Sequence, residues 1–585
     1  MIAKLRQNIF LRAIMINILF AALLIIFFEQ KYEMSDDFVM EGILSGAYGN
    51  GRNPRMIFVN VIYGCLLLPL YNLFPKISWY FISYLLIGFI SLTVITYIVL
   101  KTTNWSHSIL LISCLFFFFG NDVYILIQFT KVAGVALVSG SFLLVYALFE
   151  SKSKIQYSFG AILCLLGAMI RFDVCLLVGP FAVFLVLVAL CKYIRTKKQQ
   201  TEYHLLRDKS LLLRLLAGIA VVVCILFCRL IDRNVYEKDQ AYSYFLQYSK
   251  TRAAIGDQGK IRIPKDRFDE IGITINDEFM IGCWEFGDGE FFTDERLNNI
   301  ACAVADYNAG RRTKENIIER IKQRQFFSYP IVWACIVIFF AALFLLKKGK
   351  WRLFLPGSIG CVMLLYFACI HRMVYRVEYV IFLSMFVAML YLWITNACKT
   401  YPYEKQGSLL IAGAIIIWYA VAFFPNQSLG YRNISERADY IDEEMGLSKN
   451  YRTGKYKAKV ADENACLIDY IQADEDHFYF LDFASTIQKL FYDYNPYRSA
   501  GYNQYKNFAY SAGVMMNHPD MLALYERWGI ANPTKDLLLD NVYLIDTDYT
   551  DYKLNYLREH YDSNVEVELV DTVEGYSIWK FYPKE

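Results

Sequence analysis

The sequence is poor in the features that mark many chemistries. It has no CxxC pair and no cluster of cysteine with histidine, so it offers no framework for a zinc ion. Its 14 cysteines lie mostly inside apolar runs (Cys114, Cys164, Cys224, Cys228, Cys361, Cys369), where they act as small hydrophobes. Cys283 and Cys302 share one polar loop and are read as free thiols. Charged residues make up only 20% of the chain and the net charge is +3, which gives no case for nucleic acid as a partner. No internal repeat or low-complexity tract is present. No small-residue cleavage site follows the N-terminal stretch MIAKLRQNIFLRAIMINILFAALLIIFFEQ. That stretch is therefore read as a retained first span with Lys4, Arg6 and Arg12 on the cytoplasmic side, and not as a signal peptide.

What is present in quantity is apolar surface. The chain has 585 residues, 56% of them hydrophobic and 17% aromatic, with a mean hydropathy of +0.30. A soluble protein of this size could not hide that much apolar surface. Apolar runs fall at about 9–28, 57–73, 78–100, 107–120, 132–149, 157–172, 174–191, 211–230, 327–346, 353–370, 378–396 and 408–425. Each is near the ~20 residues a helix needs to cross a bilayer, though several are short.

Charge sets the expected orientation. The basic segments CKYIRTKKQQ (Cys191–Gln200), KKGKWR (Lys347–Arg352) and ESKSK (Glu150–Lys154) belong on the cytoplasmic side. All of them agree only if residues 57–100 make one net crossing. The 57–73 run, with Pro69 inside it and Pro75 after it, is then a helix that does not fully cross. The expectation is a polytopic α-helical membrane protein of the plasma membrane, with about 11 net crossings, a cytoplasmic N-terminus and an extracytoplasmic C-terminus. Residues 1–231 form an N-terminal transmembrane module with a first outer loop at 29–56. Residues 232–326 form an extracytoplasmic insert, with helices at Tyr242–Ile255 and Asp294–Lys322. Residues 327–426 return to the membrane, and 427–585 form an extracytoplasmic α/β domain. In that domain HFYFLDF, NVYLID, VEVELV and GYSIWKFY read as strands, the last two as a hairpin around Asp571–Gly575. Ala484–Tyr492 and Asp520–Trp528 read as helices.

Charges at the edges of spans are costly, ~2.5–3.5 kcal/mol or more each, and so point to function. On the expected outer side these are Asp36, Asp37, Arg52, Arg55, Asp122, Lys131, Arg171, Asp173, Arg372, Arg376 and Glu378. They come from separate parts of the sequence, yet the topology brings them to one face, where acids and bases suit a phosphate in the headgroup layer. Arg55, Lys131, Arg171, Arg372 and Arg376 are candidates to hold that phosphate, arginine by bidentate contacts and lysine as a point charge. Asp36 or Asp37 could take a proton from an acceptor hydroxyl or bind a divalent cation such as Mg or Mn. Adjacent residues point in different directions, so one of the two faces the site and the other orients or caps. Asp122, Asp173 and Glu378 are supporting acids. Plainer roles compete: a helix N-cap for Asp36, an interfacial anchor for Lys131, and a snorkelling turn for Arg171 and Asp173. In CWEFGDGEFF (Cys283–Phe292), an aromatic mini-core competes with a sugar-stacking surface.

With these residues laid out, the chain resembles the GT-C superfamily of integral-membrane glycosyltransferases. The resemblance rests on SDDF (Ser35–Phe38) in the first outer loop, the short or broken helices after it, the many spans and the C-terminal soluble domain. The loop MSDDFVMEGILSGAYGNGRNPR looks like that of membrane proteins from bacterial polysaccharide and cell-wall gene clusters. The resemblance implies transfer of a sugar from a polyprenyl-phosphate carrier to an extracytoplasmic glycan, teichoic acid or lipid acceptor. It assigns the catalytic or metal-binding carboxylate to Asp36 or Asp37. The chain departs from better-known branches in having GRNPR where a KPP-type segment would stand. Two rival classes remain: a transporter or flippase of a lipid-linked glycan, which predicts mid-membrane charges and paired halves, and a non-catalytic envelope-assembly protein.

Overall fold

A computed structural model describes residues 8–28, 30–199, 208–256, 265–324, 326–396, 398, 404–423, 465–482, 494–546, 549–573 and 576–584. In chain order the first half holds α1 (Ile9–Phe27), β1 (Lys31–Tyr32), α2 (Ser35–Ser45), α3 (Val61–Leu73), α4 (Trp79–Thr102), α5 (Trp105–Phe119), β2 (Leu126–Ile127), α6 (Phe129–Tyr146), α7 (Lys154–Ile170), α8 (Val174–Lys198) and α9 (Lys209–Glu237). The insert follows with α10 (Gln240–Gly256), α11 (Lys265–Glu270), α12 (Ile275–Gly282), α13 (Asp294–Gly310) and α14 (Lys314–Gln323). Next come α15 (Pro330–Leu345), α16 (Phe354–Cys369), α17 (Tyr375–Thr395) and α18 (Glu404–Phe423). The C-terminal part holds α19 (Ala465–Ala473), β3 (Phe478–Leu481), β4 (Phe508–Tyr510), α20 (Pro519–Arg527), β5 (Val542–Ile545), α21 (Thr550–His560), β6 (Val565–Val573) and β7 (Tyr576–Pro583).

Every apolar run of the sequence holds a helix among the described residues. Among the described residues, 7 helices are long and apolar enough to cross a membrane: Ile9–Phe27, Trp79–Thr102, Phe129–Ser151, Val174–Lys198, Lys209–Glu237, Lys350–Cys369 and Tyr375–Thr395. Shorter apolar helices occupy Val61–Leu73, Trp105–Phe119, Lys154–Ile170, Pro330–Leu345 and Lys405–Val421. Burial separates the centre of the bundle from its rim. The apolar windows of Phe129–Ser151 and Tyr375–Thr395 are each 83% buried, so these two form the core, whereas that of Lys209–Glu237 is 11% buried and displays Leu213, Ile219, Phe227 and Leu230 outward. A helix that exposes such residues along its whole length is stable only against another apolar phase, which is the role of a bilayer.

The basic loops gather at one end of the bundle. There Lys192 pairs with Glu150 at 2.8 Å, Tyr193 bonds Asp208 at 2.9 Å and Arg214 donates to the Leu148 carbonyl. The opposite end carries the 30–60 loop, the insert and the C-terminal sheet. Helix α3 has both of its ends there. Its start is fixed by Asn60 N–H on the Met169 carbonyl (2.8 Å) and by Val61 N–H on Asp232 (2.8 Å). Just past its finish, Ser78 N–H bonds the Tyr497 carbonyl at 3.0 Å and Ser499 N–H bonds the Lys76 carbonyl at 3.1 Å. Both ends of this short helix are thus tied to the segments at that end of the bundle.

The C-terminal sheet has the order β4-β3-β5-β7-β6, with β4, β3 and β5 parallel and β7 and β6 antiparallel. The four strands read from the sequence are present, the hairpin pair included, while β4 was not foreseen. The expected helix at 484–492 and the hairpin turn at 574–575 lie outside the described residues. In the insert, the expected single helix from Asp294 breaks into α13 and α14, because Thr313 accepts from Asn316 N–H and starts a new helix. The expected boundary at 232 falls inside α9, which runs on to Glu237.

Candidate functional site

The loop after α1 is an ordered structure. Lys31 and Tyr32 pair in parallel with Leu126 and Ile127, so the first loop and the GNDVYILIQFTK segment form one small sheet. Helix α2 then starts at Ser35 with Asp36 and Asp37 in its first turn, where carboxylates complement the helix dipole. It ends at Gly46, whose φ of +84° is the left-handed cap that glycine supplies without strain. Asp36 therefore lies within the first turn, and the N-cap position falls to Met34.

The two aspartates part company. Asp37 is wholly buried, with Oδ1 accepting from the Tyr80 hydroxyl (2.9 Å) and from Phe129 N–H (3.2 Å). Burial pushes its carboxyl well above the usual carboxylate range, against the pull of the Tyr80 hydrogen bond. It ties α2 to the starts of α4 and α6. Asp36 is half-exposed on the other side of the turn.

Asp36 lies within electrostatic range of Arg171, one of a basic group drawn from two distant turns. Arg171 caps the end of α7 and lies against two aromatic rings, its guanidinium carbon 5.0 Å from the centroid of Phe58 and 5.0 Å from that of Phe129. Those two rings are parallel to within 1° with centroids 5.6 Å apart. Burial lowers the pKa of Arg171, Asp173 and Asp36 oppose that shift, and Arg376 and Arg372 add to it. Such mutual influence requires the five side chains to share one neighbourhood. Arg171 also pairs with the exposed Asp173 at 3.3 Å. Arg376 donates towards the Met34 sulfur at 3.4 Å, directly before α2.

Other expected site residues are used elsewhere. Lys131 is wholly buried, 2.6 Å from Glu33 and 2.7 Å from Asp122, and the second oxygen of Asp122 accepts from the Tyr375 hydroxyl at 2.9 Å. Expected as a phosphate ligand, Lys131 is here neutralised by two buried carboxylates, and the triad joins the β1–β2 sheet to α6 and α17. Glu378 takes both nitrogens of Arg324 at 2.9 and 2.8 Å, a bidentate tie between the insert and α17. Arg55 turns to the insert, 3.9 Å from Asp239 and 4.4 Å over the Tyr242 ring. Arg52 bonds Asn72 at 2.5 Å. In the CWEFGDGEFF segment, Phe286 and Phe292 are buried against each other, so the mini-core reading fits there.

Sequence reasoning missed Glu41. It stands one turn beyond Asp37 on the same helical face and is wholly buried, accepting from the Tyr71 hydroxyl at 3.1 Å and from Ala500 N–H at 3.0 Å. Burial raises its pKa to about 7. The i, i+4 spacing from Asp37 was the available signal. Around it the C-terminal domain grips the loop: Asn503 and Tyr505 N–H groups bond the Gly46 and Ala47 carbonyls, Arg527 bonds Asn50 at 2.6 Å, and Asn53 bonds Asp520 at 2.9 Å.

No group of three or more His, Cys, Asp or Glu side chains that could hold a metal ion occurs among the described residues. Comparison with protein-family models, with curated proteins and with solved structures finds no match.

Proposed function

We propose that the chain is a membrane glycosyltransferase of the GT-C kind, moving a sugar from a polyprenyl-phosphate donor to an extracytoplasmic glycan, teichoic acid or lipid acceptor. The observation that supports this reading is the half-exposed Asp36 within electrostatic range of Arg171, which also feels Arg372 and Arg376, at the end of the bundle away from the basic loops. Asp36 takes the proton of an acceptor hydroxyl as its oxygen attacks the anomeric carbon. The bond from that carbon to the phosphate oxygen breaks, and its electron pair leaves with the lipid phosphate. The three arginines stabilise the charge that develops there. Asp37 positions this apparatus from within.

The residues present do not fit a divalent cation. Asp37 is spent on Tyr80 and Phe129, Asp173 is paired with Arg171, and the remaining acid sits among guanidinium groups.

Incubating proteoliposomes with a radiolabelled polyprenyl-phosphate sugar and a lipid acceptor tests the reading. Asp36→Asn is expected to lower transfer at least ~100-fold, the usual scale for loss of a general base, with folding intact. Asp37→Asn is expected to lower thermal stability along with activity. Full transfer by Asp36→Asn would overturn the assignment.

A further inference from the structure

Helix α14 and the turns beside it form a surface that the chemistry above does not use. Ile317, Ile318 and Ile321 lie along one face of α14, and Ile318 and Ile321 are exposed. No residue of this helix is buried. A short helix with an apolar stripe and no core contact gains nothing from water on that stripe. Exposed Phe327 and Trp333 continue the apolar surface towards α15, the indole nitrogen donating to the Phe327 carbonyl at 2.8 Å. Tryptophan at the start of an apolar helix is a typical anchor at the boundary of a bilayer.

The polar side of this surface is basic. Between positions 311 and 324 there are six basic residues and two glutamates. Arg324 is committed to Glu378, but Arg311, Arg312, Lys314 and Lys322 have no ion-pair partner within 4.0 Å among the described residues. Arg320 donates through Nη1 to the Ala368 carbonyl at 3.0 Å, which docks α14 on the end of α16. Its Nη2 is shielded from solvent yet has no acceptor, and the same is true of His371 Nε2 in the adjoining turn. Burial, together with Arg320, Arg311 and Arg312, pushes the His371 imidazole down to about 4. Several cationic groups are thus held together with too few anions, and beside them an Arg320 donor and a His371 ring nitrogen are left unmatched.

We propose that α14, with Arg311, Arg312 and Arg320 beside it, is an interfacial helix that binds the headgroups of anionic phospholipids in the surrounding bilayer. The isoleucine stripe, Phe327 and Trp333 enter the acyl boundary. The arginines receive phosphate oxygens, and Arg320 Nη2 gains the acceptor it lacks. The apolar stripe favours a lipid over a free anion, and the position on the rim of the bundle favours a bilayer lipid over an enclosed substrate. This inference does not rest on the glycosyltransferase reading.

The test uses the full chain in a neutral detergent, with thermal unfolding followed as phosphatidylglycerol, phosphatidylcholine or inorganic phosphate is added. Phosphatidylglycerol is expected to raise the midpoint clearly more than phosphatidylcholine. The variant Arg311→Gln/Arg312→Gln, and separately Ile318→Ser/Ile321→Ser, are expected to lose at least half of that difference while unfolding at the wild-type midpoint without lipid. A remote Lys584→Gln variant is expected to keep it. Equal shifts from the two lipids, an undiminished difference in both double variants, or a full shift from inorganic phosphate alone would overturn the proposal. Should Arg311→Gln/Arg312→Gln fail to fold, the isoleucine variant decides the outcome by itself.

Discussion

Lys131→Met separates a structural role from a substrate role. In the wild type the ammonium lies 2.6 Å from Glu33 and 2.7 Å from Asp122, and all three side chains are at most 7% exposed. Methionine fills a similar volume but leaves two carboxylates facing each other without a counter-charge. Removing one partner of a buried pair costs about 3–5 kcal/mol, and a triad that loses its centre belongs at the upper end of that range. The loss should appear when the protein is unfolded by SDS titration in mixed micelles and followed by tryptophan fluorescence. The triple variant Lys131→Met/Glu33→Gln/Asp122→Asn no longer buries charge, and is expected to recover most of the lost stability. If Lys131→Met proved as stable as the wild type while donor binding disappeared, the triad would be a poor description and the lysine would be meeting substrate after all.

Two further outcomes follow from buried charge. Glu41 has its pKa raised by burial from 4.5 to about 7, so the folded state holds this proton more tightly than the unfolded chain. Its contribution to stability is then fully present below about 4.5 and falls as pH rises to about 7, where the decline levels off. Glu41→Gln should remove that part of the pH slope in the same unfolding titration, and an unchanged slope would refute the assignment. Lys553, which burial alone would discharge, is kept charged by Asp546 at 3.0 Å and Glu285 at 3.3 Å. Lys553→Met should open the contact between insert and C-terminal domain and speed proteolysis of the insert about 100-fold, as ~3 kcal/mol implies. Unaltered cleavage rates would show that other contacts hold the two together.

Much of the fold could be read from periodicity and charge because both act locally. Apolar runs mark helices wherever a bundle must be apolar, and the basic loops fix which ends lie together. The parity of those loops led to the expectation that Val61–Leu73 does not cross, a reading that rests on counting and not on the helix itself. Pairing was not legible. Lys131 looks like an interfacial anchor because its partners, Glu33 and Asp122, reach it through a two-strand sheet whose halves are nearly a hundred residues apart. Strand β4 (Phe508–Tyr510) is too short to show alternation, and exists because β3 offers it a parallel edge. Glu41 reads as one more loop acid until the backbone of Ala500, from the far end of the chain, is found on its carboxylate.

The divergence of Asp36 and Asp37 follows from the helix that carries them. Successive residues of a helix are turned by about 100°, so neighbours cannot both face the interior. Asp37 points inward and its carboxyl group holds Phe129 N–H, while the ring of Phe129 is one of the two against which Arg171 lies. One buried acid therefore touches both sides of the candidate site: the turn on which Asp36 stands, and the Phe129 residue whose ring the Arg171 guanidinium lies against. A surface loop could supply a carboxylate and an arginine, but it could not fix the distance between them. Embedding one aspartate under the other provides that constraint. It also accounts for the raised pKa of Asp37, which is buried where Asp36 is not.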